Sequence, residues 1–173
     1  MRDKKILFIT QAAIIAAIYV VLVYVFNPIS FGPIQVRIAE ALTVLPYFTP
    51  AAVPGVTIGC FLSNLLTGQD MLDVIFGTFA TLIGAIGSYK LRHNKFLVPI
   101  PPILSNTLII PWVIKFAYAQ ATPIPLMMLT VGLGEVVSIG VLGMILLFTL
   151  EKHKDAGMPE LDGCAHGRSS VRA

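Results

Sequence analysis

From residue 6 to residue 26 the chain carries no charged side chain. That run constrains the fold more than any other feature. A helix of about 20 apolar residues crosses a bilayer core roughly 30 Å thick, and further apolar stretches follow, separated by proline-rich or charged breaks. Charged residues make up 12% of the sequence, against about 25% in a soluble domain. The mean hydropathy is +0.84. An ordinary soluble domain is excluded, and an all-α integral membrane protein is expected. The first run is too long for a signal-peptide core and no small-residue cleavage site follows it, so it reads as a retained first span.

The breaks predict a six-transmembrane-helix bundle with spans at residues 6–26, 37–48, 54–66, 72–89, 96–118 and 124–150. Residues 1–150 form the membrane domain, and 151–173 a polar, Gly-rich tail expected to be disordered. Ten of the twelve cations fall in three groups: Arg2, Lys4, Lys5; Lys90, Arg92, Lys95; and Lys152, Lys154, Arg168, Arg172. Six crossings put all three groups on one side, and the positive-inside rule makes that side, with both termini, cytoplasmic. The net charge of +3 thus marks topology and not a nucleic-acid partner.

Spans two and three are short and interrupted by Pro46, Pro50 and Pro54. They form either a hairpin that inserts without crossing fully or two kinked spans inside the bundle. The second is favoured, because Arg37, Glu40 and Asn64 need a polar interior. Small residues recur four apart at Ala12/Ala16, Ala13/Ala17 and Gly55/Gly59, a spacing that lets helices approach closely in lipid. It serves internal packing or docking onto another membrane protein. Cys60, in an apolar run, reads as a small hydrophobe.

Only Glu40 and Glu135 among the acids are expected at membrane depth, with Arg37 and Lys115 as their basic counterparts; Asp70 and Asp73 flank an outer turn. Arg37 and Glu40 are i,i+3 neighbours. They either pair with each other or hold a solute entering from outside, and Tyr47, seven residues on, is expected on the same face. Glu135 and Ser138 repeat the spacing in span six. Asn64, Asn106, Trp112, Lys115 and Tyr118 complete an amphipathic set of the kind that lines small-molecule pockets. The aromatics also fit an interfacial belt. No phosphate-binding loop, no metal motif and no Ser or Cys paired with His occurs in the spans, so neither an ATPase nor another enzyme is expected.

The segments "AAIIAAIY", "SFGPIQVRIAEALTVLP", "PAAVPGVTIGCFLSNL" and "LDVIFGTFATLIGA" resemble the QueT family of queuosine-precursor transporters. The resemblance covers roughly residues 6–150. It implies a substrate-binding S-component of an energy-coupling factor transporter, working with a transmembrane coupling subunit and two ATPase subunits that use the ATP. It also implies that Ala12, Ala13, Ala16 and Ala17 contact the coupling subunit, and that the substrate is a 7-deazaguanine. One carboxylate would accept from the N–H and amino group of its guanine edge and a second would meet a 7-aminomethyl cation. Glu40 and Glu135 are the candidates, with Arg37 or Lys115 donating to the ring carbonyl and Trp112, Tyr47 or Tyr118 stacking on the ring.

Overall fold

Each break in the apolar pattern becomes a helix end in the computed structural model, which describes residues 2–27, 36–119 and 121–155. Six helices result: α1 Arg2–Val25, α2 Ile38–Tyr47, α3 Ala52–Leu66, α4 Met71–Lys90, α5 Ile100–Ala117 and a sixth, α6. Helix α6 runs in three stretches, Ile124–Glu135, a π-helical Val136–Gly143, and Met144–Asp155. No strand occurs among the described residues. Gly68 turns the chain out of α3 at φ +70°, and Asp70 caps α4 by accepting from the Leu72 amide at 2.9 Å. Proline at the first turn starts α5, where its missing N–H costs nothing.

Helix α2 differs from the rest. It is a 3-10 helix of ten residues, longer than such helices usually run. Pro46 removes a backbone donor near its end, and the Thr43 hydroxyl donates to the Glu40 carbonyl at 2.6 Å. A 3-10 helix rises about 2.0 Å per residue, so this short element reaches about 20 Å. Ala39, Glu40, Ala41, Leu42, Thr43, Val44 and Pro46 are all buried, and α1, α3, α4 and α6 surround it.

The surrounding helices close tightly where glycine allows it. Helices α1 and α3 run parallel, with Gly55 against Ala12 and Gly59 against Tyr19; a Cβ at Gly59 would stand 2.7 Å from that of Tyr19. Helices α4 and α5 are antiparallel, and a Cβ at Gly84 would stand 2.6 Å from the Pro102 Cα. At one end of the bundle Lys95 pairs with Glu151 at 3.0 Å, and the Tyr47 hydroxyl lies 3.4 Å from the same carboxylate. At the other end the Tyr118 hydroxyl donates to Gln69 at 2.7 Å.

The outer surface is apolar, with Ile9, Ile14, Ile18, Val21, Phe79 and Phe116 among many exposed large side chains. A soluble monomer rarely exposes contiguous apolar surface on this scale. The buried set, in contrast, holds Arg37, Glu40, Asp73 and Glu135. An apolar shell around a charged interior is what a bilayer demands, and this is a membrane protein. Four helices are individually long and apolar enough to cross, whereas α2 and α3 are shorter.

Two expectations need correction. Of the short helices only α2 is enclosed, because α3 exposes Ile58, Phe61, Leu65 and Leu66 on its outer face. Glu151 does not begin the tail, since α6 continues through Asp155; the rest of the tail and the loop at 28–35 lie outside the described residues.

Candidate functional site

Helix α2 carries the site because its threefold repeat stacks residues three apart. Arg37, Glu40, Thr43 and Pro46 share one line, beginning at the Arg37 carbonyl that accepts from the Glu40 amide at 2.9 Å. Glu40 is 1% exposed. Its Oε1 accepts from the Tyr19 hydroxyl at 2.6 Å and from Thr81 at 3.5 Å. Thr81 also lies 3.3 Å from the Cys60 sulfur, which Asn64 approaches at 3.7 Å. The carboxylate is therefore gripped by side chains from α1 and α4, with α3 behind them.

Arg37 does not take Glu40 as its salt-bridge partner. Its guanidinium meets Asp73 at 3.4 Å, and both side chains are nearly inaccessible. Asn64 reinforces the contact by donating to the Asp73 backbone carbonyl at 3.5 Å. Of the two alternatives that the i,i+3 spacing leaves open, pairing of Arg37 with Glu40 is replaced by a bridge from the start of α2 to α4.

The second carboxylate enters from α6. Glu135 is 3% exposed, and its Oε1 accepts from the Asn106 amide of α5 at 3.1 Å. Helix α2, which carries Glu40, packs against the π-helical stretch that follows Glu135, and both acids are buried in the bundle interior. Glu135 stands where α6 changes from α- to π-helical, a distortion often found at functional sites. Ser138, three residues on in the π-helical stretch, is fully buried. Gly143 lets the π-helical stretch approach Val44 of α2.

Several buried atoms of this cluster have no hydrogen-bond partner among the described residues: Glu40 Oε2, Asp73 Oδ1, Asn106 Oδ1, Glu135 Oε2 and Ser138 Oγ. Leaving such a group unsatisfied costs about 1–3 kcal/mol each, more when charged. Each is a buried oxygen able to accept from a donor. Among the described residues no group of His, Cys, Asp and Glu suits a metal ion.

The structure brings Arg37, Glu40, Asn64, Asn106 and Glu135 together and leaves the other expected residues apart. Tyr47 is at the far end of α2, edge-on to Phe48 at 4.9 Å. Seven residues in a 3-10 helix end about a third of a turn off the starting face, so the spacing that suits an α-helix misplaces it. Trp112 is 46% exposed and stacks on Phe116. It lines an open apolar groove of about 810 Å³ on the outer face of α4 and α5. Lys115 is half-buried in the last turn of α5 and forms no salt bridge with a described residue. Tyr118 sits at the bundle end beside Gln69 and Asp70, where partial burial raises its phenol above the usual pKa.

The alanines divide by one helical step. Ala12 and Ala16 are buried, whereas Ala13 and Ala17 are exposed. The inner pair therefore packs on α3 inside the chain.

Sequence reasoning missed Tyr19, Asp73 and Thr81. A signal for each existed. Asp73, Gly77, Thr81, Gly84 and Ser88 form a stripe of polar and small residues along α4, all buried. Tyr19 continues the Ala12–Ala16 line by three residues. The place of Asp73 near the α4 start suggests the outer turn, although its position on the helix faces inward.

No solved structure matches the chain. Over 85 residues it is 40% identical to the queuosine precursor transporter QueT of Lactococcus lactis subsp. cremoris (strain MG1363). That alignment covers 48% of this chain and 50% of the relative, so the match spans about half the length of each. The family model is more extensive. It matches residues 9–152, from the second turn of α1 to the last turn of α6 and through every residue of the buried cluster, and the chain belongs to the QueT transporter family.

Proposed function

We propose that the cluster around α2 binds a queuosine precursor, a 7-deazaguanine, and that this chain is the substrate-capturing S-component of an energy-coupling factor transporter in the bacterial plasma membrane. The observation that carries this is the set of partnerless acceptors deep in the bundle, Glu40 Oε2, Asn106 Oδ1 and Glu135 Oε2. A guanine-type edge presents an N–H and an amino group side by side, and a carboxylate can accept from both. Arg37, anchored on Asp73, is placed to donate toward the ring carbonyl. The queuosine precursor named for the Lactococcus relative supports the substrate class.

In this proposal all six helices lie within the membrane, and the N-terminus, the 91–99 loop and the C-terminus face the cytoplasm. The Lys95–Glu151 bridge supports that arrangement by joining the loop to the end of α6. With no phosphate-binding loop in the sequence, the energy comes from two ATPase subunits through a transmembrane coupling subunit. Ala13 and Ala17 supply the docking surface on α1, since they are exposed where Ala12 and Ala16 are not.

Purified protein in detergent is expected to bind 7-aminomethyl-7-deazaguanine by itself. Reconstituted in liposomes, it transports only when the coupling and ATPase subunits are added with ATP. Uptake by the lone chain in response to a pH gradient would contradict the proposal and favour a proton-coupled transporter using Glu40 and Glu135. Ala13→Leu with Ala17→Leu should leave binding intact and abolish ATP-driven uptake.

A further inference from the structure

The groove of about 810 Å³ on the outer face of α4 and α5 has no part in base binding. On α4 it runs from Leu72 to Ile83, a stretch that rises about 16 Å at about 1.5 Å per residue. That is close to half of a bilayer core roughly 30 Å thick, the depth of one leaflet. Phe76, Phe79 and Trp112 line its length, and the antiparallel α5 brings Phe116 to the Leu72 end.

The two ends of the groove differ. Ile83 lies well inside the α4 span, Met71–Lys90. At the Leu72 end the chain becomes polar, with the Tyr118 hydroxyl donating to Gln69 at 2.7 Å. Lys115 stands at this end, in the last turn of α5. It follows Trp112 by three residues and Leu108 by seven, so the helical repeat puts it on the face that these two turn to the groove. Both acids near this end are engaged elsewhere, Asp70 in accepting from the Leu72 amide at 2.9 Å and Asp73 in the bridge to Arg37. Lys115 forms no salt bridge with a described residue.

An apolar groove alone discriminates little in lipid. A cation at its polar end changes that, because a lysine stem lies along apolar surface while its ammonium reaches the headgroup layer. Trp112 and Tyr118, 46% and 43% exposed, are the residue types that sit at that layer. A second copy of this chain suits the groove less well. A two-fold axis along the membrane normal would set one concave surface against another and bring the two Lys115 ammonium groups to the same depth.

We propose that the α4–α5 groove holds an acyl chain of an anionic phospholipid whose phosphate is met by Lys115. This lipid site goes beyond base binding, and the two stand or fall separately.

Trp112 is the one tryptophan of the chain, so its fluorescence reports what occupies the groove. The full chain is reconstituted in phosphatidylcholine vesicles and titrated with phosphatidylglycerol or phosphatidylcholine carrying brominated acyl chains, which quench an indole on contact. Phosphatidylglycerol has a net negative charge, whereas the choline of phosphatidylcholine offsets its phosphate. Half-maximal quenching should need about fivefold less of the brominated phosphatidylglycerol, the scale of one lysine near an anionic surface. Lys115→Gln should bring the two lipids to within about twofold of each other, and Lys115→Arg should keep the preference. Variants are compared at matching unquenched emission spectra, which separates loss of folded protein from loss of selectivity. A lysine that served only the C-terminal end of the α5 dipole would leave the lipid preference unchanged when replaced. Equal quenching by the two lipids in the wild-type protein overturns the anionic site. A preference that survives Lys115→Gln overturns the role of Lys115. Resistance of Trp112 to both lipids means that protein covers the groove, and overturns lipid occupancy altogether.

Discussion

The two faces of helix α4 teach opposite lessons. Its inner face turns Asp73, Gly77 and Thr81 toward α2 and the buried acids. Its outer face turns Phe76, Phe79 and Ile83 into a groove of about 810 Å³ that Trp112 and Phe116 complete from α5. The groove is open and lined almost wholly by apolar side chains. In lipid, however, apolar side chains gain little from leaving acyl chains for another apolar surface, so an apolar groove selects weakly. The inner cluster encloses three acids and one cation with unpartnered acceptors, an arrangement that costs stability unless something uses it. Polarity at depth is what favours the inner cluster as the candidate site.

That contrast can be broken at several points. The largest effect is expected from Arg37→Ala, which leaves Asp73 buried beside two further acids. Removing one partner of a buried pair costs about 3–5 kcal/mol, read as a lowered unfolding midpoint in detergent; an unchanged midpoint would show that Arg37 is not what holds α2 to α4. Tyr19→Phe deletes the 2.6 Å hydrogen bond to Glu40, and a bond to a charged group contributes about 1.5–3 kcal/mol. Denaturation with and without ligand would show whether the loss falls on stability, binding or both. Gly59→Ala forces a Cβ to within 2.7 Å of the Tyr19 Cβ and should cost about 1–3 kcal/mol through overpacking. A smaller cost would mean that α1 moves freely against α3. Trp112→Ala should change stability by less than about 0.5 kcal/mol and ligand affinity by less than about twofold. A tenfold weakening there would transfer the site to the groove.

The helical pattern was readable because membrane spans must be apolar for most of their length, and the six segments recur at the expected places. The inner face of α1 was also present in the spacing of Ala12, Ala16 and Tyr19. What spacing concealed was the type of helix in the second segment. Periodicity arguments assume 3.6 residues per turn, and with a threefold repeat Tyr47 leaves the face that Glu40 occupies while Thr43 joins it. The partner of Arg37 was concealed for another reason. An ion pair within one helix is visible as i,i+3 spacing, but the bridge to Asp73 joins residues 36 apart and follows only from how α2 sits against α4. Trp112 illustrates a third limit, since an aromatic near a bundle end suits a belt or a stacking platform equally, and only its exposure places it on the lipid face.

The most direct test of the inner cluster as the binding site is the affinity of Glu40→Gln for 7-aminomethyl-7-deazaguanine, measured by calorimetry on protein shown to be folded. A loss of at least about tenfold, or about 1.4 kcal/mol, is expected, because the amide that replaces the carboxylate can no longer accept two N–H donors with a full charge. Wild-type affinity in the folded variant would contradict it and leave Glu40 as a structural anchor for Tyr19 alone.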